Sequence, residues 1–237
     1  GASVYWWKQL ADRHAIGHLA DNLPGLALGF AAVAALTLLN LALRWARWHY
    51  LVRRAGARFA AKDSALIYLS SAAPAALTPF YAGELLRVVL LGKRYARHRF
   101  DIVAIWLLER SSDLLAVCLF LSVVRANALY VTVAAAVWLG VYAVLRAIYR
   151  NVRRSPFPQP GTVVAAVLSS LVVSFLPALG LFALGLAAGF DLSLGAGVEV
   201  FSGSTVFGVL TGAPAGLGVG SSAMVVGLQE HGVPLLD

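Results

Sequence analysis

Charge is scarce in this chain. Only 13% of its 237 residues are Asp, Glu, Lys or Arg, against about 25% in an ordinary soluble domain, and 60% are hydrophobic. That balance excludes a disordered chain and argues against a water-soluble enzyme. Cysteine is almost missing: Cys118 is the single one and lies in an apolar run, so no intrachain disulfide can form and no compartment follows from it. Histidine is sparse as well. His14 and His18 share one helical face without a third ligand nearby, while His49, His98 and His231 stand apart, so no metal or other cofactor is expected. No CxxC, HExxH or Ser-His-Asp order occurs, which leaves a thin case for catalysis. The glycines near residue 212 follow no strand and precede no Lys, which excludes a nucleotide loop. The opening Gly1-Ala2-Ser3 has no Met and reads as a trimmed or appended end, with no cleavable signal peptide.

Uncharged sequence is abundant. The runs 22–43, 126–145 and 162–190 each match the roughly 20 residues that cross a hydrocarbon core. The pattern predicts an all-α, polytopic transmembrane bundle forming one integral membrane domain over 1–237, with spans at about 24–43, 102–124, 128–145 and 162–190. Residues 1–21 set Trp6 and Trp7 beside Lys8, Asp12 and Arg13, which suits an interfacial segment. Arginine makes up 16 of the 19 basic residues, and the net charge is +8. In a membrane protein that excess reads as positive-inside loops touching anionic headgroups, not as a nucleic-acid footprint.

Basic stretches follow residue 43, precede residue 100 and follow residue 145. Two of them flank 64–92, so this segment must leave the membrane on the side it came from. It is therefore read as a re-entrant hairpin broken at Pro74 and Pro79 and closed at Gly83. The glycine-rich stretch 193–231, with Pro214 at the centre of a Thr211-to-Gly220 break, is read as a second re-entrant hairpin threaded from the opposite face. Asp191 and Glu199 are placed on that face, where arginine is expected to be absent. Oppositely oriented broken hairpins are the pattern of inverted-topology transporters.

Ionisable groups at bilayer depth carry the strongest functional signal, because each costs about 2.5–3.5 kcal/mol on insertion scales. Glu109 and Asp113 are spaced i,i+4, Arg110 lies i,i+3 from Asp113, and Glu84 and Arg87 repeat that spacing at the first hairpin. One reading is a set of ion pairs that only hold helices together. The other is that Arg87 and Arg110 bind a lipid phosphate while Glu84, Glu109 and Asp113 orient them, since the guanidinium fork matches phosphate and stays charged when buried. Around Pro214, Gly216 and Gly218 the readings are close helix packing or a break whose amides face the ligand. The collar from Arg44 to Tyr50 is read first as an interface anchor, with headgroup gathering as the alternative.

The succession Arg44-Trp45, Gly83-Glu84 with Arg87, Glu109-Arg110 with Asp113, and Pro214-Ala-Gly-Leu-Gly218 resembles the lysylphosphatidylglycerol synthase transmembrane domain family. That family includes the flippase half of the multiple-peptide-resistance factors and stand-alone membrane proteins. The resemblance covers about 24–235. The family usually has another helix before the arginine-tryptophan helix, a glutamate where Ser221 and Ser222 stand here, and further helices beyond Gly232-Val233. The resemblance implies a multi-pass protein of the bacterial inner membrane that translocates a lipid and does not perform aminoacyl transfer. Its cargo would be an anionic phospholipid or a polyprenyl-linked lipid, and its partners membrane lipids, a second copy or a lipid-synthesis enzyme. Rival readings are a membrane-embedded enzyme with Glu109 or Asp113 as base, and a non-transporting scaffold subunit.

Overall fold

The computed structural model describes residues 23–56, 60–78, 83–87, 89–90, 99–153, 159–211 and 219–233, and all regular structure among them is helical. Helix α1 (Leu23–Arg54) carries Pro24 in its first turn, where the missing N–H has no partner to lose. Its 32 residues extend about 48 Å at 1.5 Å per residue, against a hydrocarbon core of about 30 Å. The expected span 24–43 is thus only part of α1, and the Arg44-to-Tyr50 collar belongs to the same rod.

Helix α2 (Ala61–Leu77) passes through Pro74 without interruption, contrary to the expected break there; Pro79 lies outside the described residues. Gly83 lies against the C-terminal end of α2. The Thr78 hydroxyl donates to the Pro74 carbonyl at 2.9 Å and accepts the Gly83 N–H at 2.6 Å. Any Cβ on Gly83 would collide with backbone atoms of Pro74 and Ala75, so only glycine lets the returning strand of chain lie this close. Residues 83–87 then form a helical turn that runs back beside α2, bringing Arg87 to Ser71.

Helix α3 (Arg99–Val124) leads through a turn at 125–128 into α4 (Leu129–Ile148), which widens to a π-helical turn over Tyr149–Arg153. The Asn127 side chain accepts the Leu129 N–H at 3.0 Å and starts α4. Helix α5 (Pro160–Ala187) opens on Pro160, and α6 (Leu194–Thr211) and α7 (Val219–Glu230) follow as a packed pair. Gly220 lies against the Ser204 carbonyl and Gly208, and Gly227 lies against Val200, so these glycines serve close helix packing.

Among the described residues, Leu23–Arg54, Leu129–Asn151, Pro160–Ala187 and Leu194–Thr211 are long and apolar enough to cross a membrane. Three of them match expected spans. The fourth, α6, was assigned from sequence to a re-entrant unit. Helix α3 has sufficient length, but Glu109, Arg110 and Asp113 stand along it, and it packs inside against α1, α4, α5 and α6. Leu28, Leu38, Val133, Leu139, Leu168 and Leu210 point outward, whereas Arg47, Glu84, Arg87 and Glu109 are buried. Apolar groups outside and ions inside are the arrangement that lipid imposes. The protein is a multi-pass integral membrane protein.

Contacts fix the register. Gly29 of α1 meets Leu184 and Ala187 of α5, Val33 and Leu36 flank Gly180, and Arg47 reaches Ser170, so α1 and α5 are antiparallel. At one end Tyr149 donates to Asp101 at 2.7 Å and Trp45 to Ser64 at 3.3 Å, near exposed Arg53, Arg54 and Arg150. At the opposite end Glu199 pairs with Arg125 at 2.8 Å and His231 at 3.3 Å. The expectation of no arginine on the Glu199 face is therefore corrected by Arg125, which the short α3–α4 turn carries there.

This polarity has a direct check. In a Cys118→Ser background, single cysteines at Arg54 and Arg150 are expected to react with an impermeant maleimide from one side, and one at Glu230 from the other. Labelling of Arg54→Cys and Arg150→Cys from opposite sides would overturn the arrangement.

Candidate functional site

The site grows from one face of α1. Arg47, Trp48, Leu51 and Val52 are buried, whereas Arg53 and Arg54 are exposed, a spacing that turns alternate steps of the helix toward α2, α3 and α5. Trp48, Leu51 and Val52 join Tyr68, Ile102, Ile105, Leu108, Leu145, Tyr149 and Ala166 in the apolar core. The ionic cluster lies on the same side. Arg47 donates from Nε to Glu109 at 3.1 Å, from Nη1 to Asp113 at 2.6 Å and Ser170 at 2.7 Å, and from Nη2 to Asp113 at 3.2 Å. A forked guanidinium spread over two carboxylates and a hydroxyl satisfies the donor geometry that burial demands.

Asp113 is the hub. Arg110 approaches it at 3.0 Å and Arg44 at 3.6 Å, and Ser170 donates to it at 2.8 Å. Glu84 pairs with Arg87 at 3.3 Å and Arg110 at 3.4 Å and accepts the Trp106 indole N–H at 2.9 Å. Arg87 completes the ring: it contacts Glu109 at 3.6 Å, donates to Ser71 at 2.8 Å, and lies 4.3 Å over the Tyr68 ring and 5.7 Å over Trp48. Those aromatic faces hold its charge where water is scarce.

The structure therefore brings together six of the residues singled out from sequence: Arg44, Glu84, Arg87, Glu109, Arg110 and Asp113. Pro214, Gly216 and Gly218 lie outside the described residues. Arg47, Ser170 and Asn40 complete the site and were not singled out. Local sequence does not mark them: Arg54 lies seven residues, about two helical turns, beyond Arg47 and so falls on nearly the same face, and Asn40 and Ser170 stand in apolar runs. The anchor reading of the collar is corrected accordingly: Arg47 and Trp48 face the protein. Ser170 is ten residues into α5, about 15 Å from its basic end.

Exposure divides the arginines. The Arg47 and Arg87 side chains are only 2% and 4% exposed, whereas Arg44 and Arg110 are 26% and 22% exposed. Among the described residues the cluster holds four guanidinium groups against three carboxylates. It has one positive charge in excess, and its open edge is cationic. No group of His, Cys, Asp and Glu suited to a metal occurs among the described residues.

A proline orients Arg44. Pro177 has no N–H, so the Val173 carbonyl four residues earlier lacks its helical donor. Asn40 of α1 supplies one through Nδ2, and its Oδ1 accepts from Arg44 Nε at 2.8 Å. Asn40 thereby ties a gap in α5 to the open arginine of the cluster. Asn40→Ala is expected to cost about 1–3 kcal/mol, the usual penalty for an unsatisfied buried carbonyl. In a Pro177→Ala background the cost should fall, because residue 177 then donates to Val173 itself. A thermodynamic cycle of the four proteins reads the coupling, and additive losses would refute it.

The comparisons with known proteins agree with this architecture. The family described as the lysylphosphatidylglycerol synthase TM region matches residues 2–235, nearly the whole chain. No curated protein and no solved structure matches it. With the cluster of arginines and carboxylates on membrane helices and a match of that extent, the chain belongs to the lysylphosphatidylglycerol synthase TM region family.

Proposed function

We propose that the chain is a flippase-like transporter of the bacterial inner membrane that moves a lipid with an anionic or lipid-linked headgroup between leaflets. The observation that carries this reading is the excess cation of the cluster, open at Arg44 and Arg110. Headgroup desolvation opposes passage through hydrocarbon, and fixed guanidinium groups replace the lost water. An anion held at Arg44 and Arg110 neutralises the extra charge without dismantling the buried pairs of Arg47 and Arg87. Each of Glu84, Glu109 and Asp113 faces at least one guanidinium, which favours holding an anion over abstracting a proton. Hairpins at 64–92 and 193–231 would let the site face either leaflet in turn. Family membership adds a lipid context.

The test is lipid movement in proteoliposomes containing fluorescent phosphatidylglycerol, scored by dithionite quenching. Arg44→Gln and Arg110→Gln are expected to slow protein-dependent movement at least tenfold in protein that remains folded and inserted. Arg47→Met behaves differently: it removes the buried guanidinium that Glu109 and Asp113 share and should cost about 3–5 kcal/mol of stability. Folded, inserted protein that moves no anionic lipid would refute the transport reading.

A further inference from the structure

Next to the cluster, a groove of about 310 Å³ runs between α1 and α5, at the lower end of the size range of about 300–1,000 Å³ common to small-molecule sites. Its walls are apolar: Val33 and Leu36 from α1, Gly180 from α5, Phe201 from α6 and Met224 from α7. Its polar end is Asn40, the residue whose side-chain oxygen holds Arg44 at 2.8 Å. Gly180 keeps the groove open. A Cβ there would stand 3.9 Å from both Leu36 and Val33, so a methyl is accommodated but a larger side chain must enter the space between the helices. Val33 to Asn40 spans seven residues of α1, about 10 Å.

Two properties select the occupant. The helices that form the walls, α1, α5 and α6, are long and apolar enough to cross a membrane, so the medium outside the groove is hydrocarbon and not water. The apolar groove also ends at Asn40, which holds the Arg44 guanidinium just beyond it, and that order matches one kind of molecule, an amphiphile with an anionic head. We propose that this groove receives the headgroup-proximal part of an acyl chain of the lipid whose headgroup meets Arg44 and Arg110. The inference rests on the transport reading above and adds to it a tail subsite that makes binding depend on chain length as well as charge. A headgroup seated at Arg44 starts its chain at Asn40, and the chain then follows Gly180 toward Leu184, away from the basic end. Phe201 and Met224 bring α6 and α7 onto this tail, so occupancy of the groove and the position of the second hairpin are coupled through direct contact.

The experiment measures binding to the purified full chain in detergent, by native mass spectrometry. The probes are phosphatidylglycerol with two 16-carbon chains, phosphatidylglycerol with two 6-carbon chains, and phosphatidylcholine with two 16-carbon chains. The parent protein is expected to bind the long-chain phosphatidylglycerol at least tenfold more tightly than either of the others. Gly180→Leu fills the groove and should reduce long-chain binding about tenfold, while short-chain binding changes less than twofold. Thr37→Trp, on the exposed rim of the groove, should do the same and answers the question if Gly180→Leu does not fold. Arg44→Gln should weaken both phosphatidylglycerols alike.

Full long-chain preference in folded Thr37→Trp and Gly180→Leu proteins would overturn the tail subsite while leaving the headgroup reading intact. Loss of that preference in the groove variants, with Arg44→Gln unchanged, would instead overturn the headgroup reading. Equal binding of long-chain phosphatidylglycerol and phosphatidylcholine by the parent would overturn both.

Discussion

Asp113 pairs with three arginines and accepts from a serine in a region from which water is largely excluded, and much of the bundle follows from that demand. A carboxylate buried without such partners would cost far more than a marginally stable membrane protein can supply. Its partners come from separate stretches of chain: Arg44 and Arg47 from α1, Arg110 from its own helix and Ser170 from α5. Each of these segments must pass close to α3. The cluster thereby selects which helices lie next to α3, a choice that hydrophobicity alone leaves open in lipid, where outer and inner surfaces are both apolar.

Residues 83–87 are part of the same constraint. Glu84 and Arg87 reach the cluster because Gly83 permits contact with the backbone of α2 and the Thr78 hydroxyl accepts the Gly83 N–H. Arg87 then has a hydroxyl, two carboxylates and two aromatic faces around it. Such complete enclosure gives Arg87 a structural place in the cluster, whereas Arg44 and Arg110 keep part of their surface. The division between enclosed and open arginines separates what holds the helices together from what can meet a ligand.

Proline chemistry couples the site to its surroundings. Pro177 would be a simple defect in an isolated helix. Packed against α1 it becomes a specific acceptor for Asn40, and through Asn40 it aims Arg44. Pro74 likewise sits inside α2 without ending it, and that helix stops three residues later at Leu77.

Length, apolar runs and the spacing of Glu109, Arg110 and Asp113 were enough to give a helical membrane protein with ions inside it, because hydrocarbon penalises open backbone and exposed charge wherever they fall. The i,i+3 and i,i+4 spacings likewise placed Glu84 with Arg87 and Arg110 with Asp113. The role of Arg47 was hidden: beside Arg44, Arg53 and Arg54 it looks like any basic residue at a membrane boundary. Burial of Arg47, the Asn40–Val173 contact and the meeting of Glu84 with Arg110 join residues from 26 to 133 positions apart. Local sequence sets which face of a helix carries a charge. Only the packing of one helix against another decides which charge it meets, since that depends on register and approach, and here on single residues such as Gly83 and Pro177.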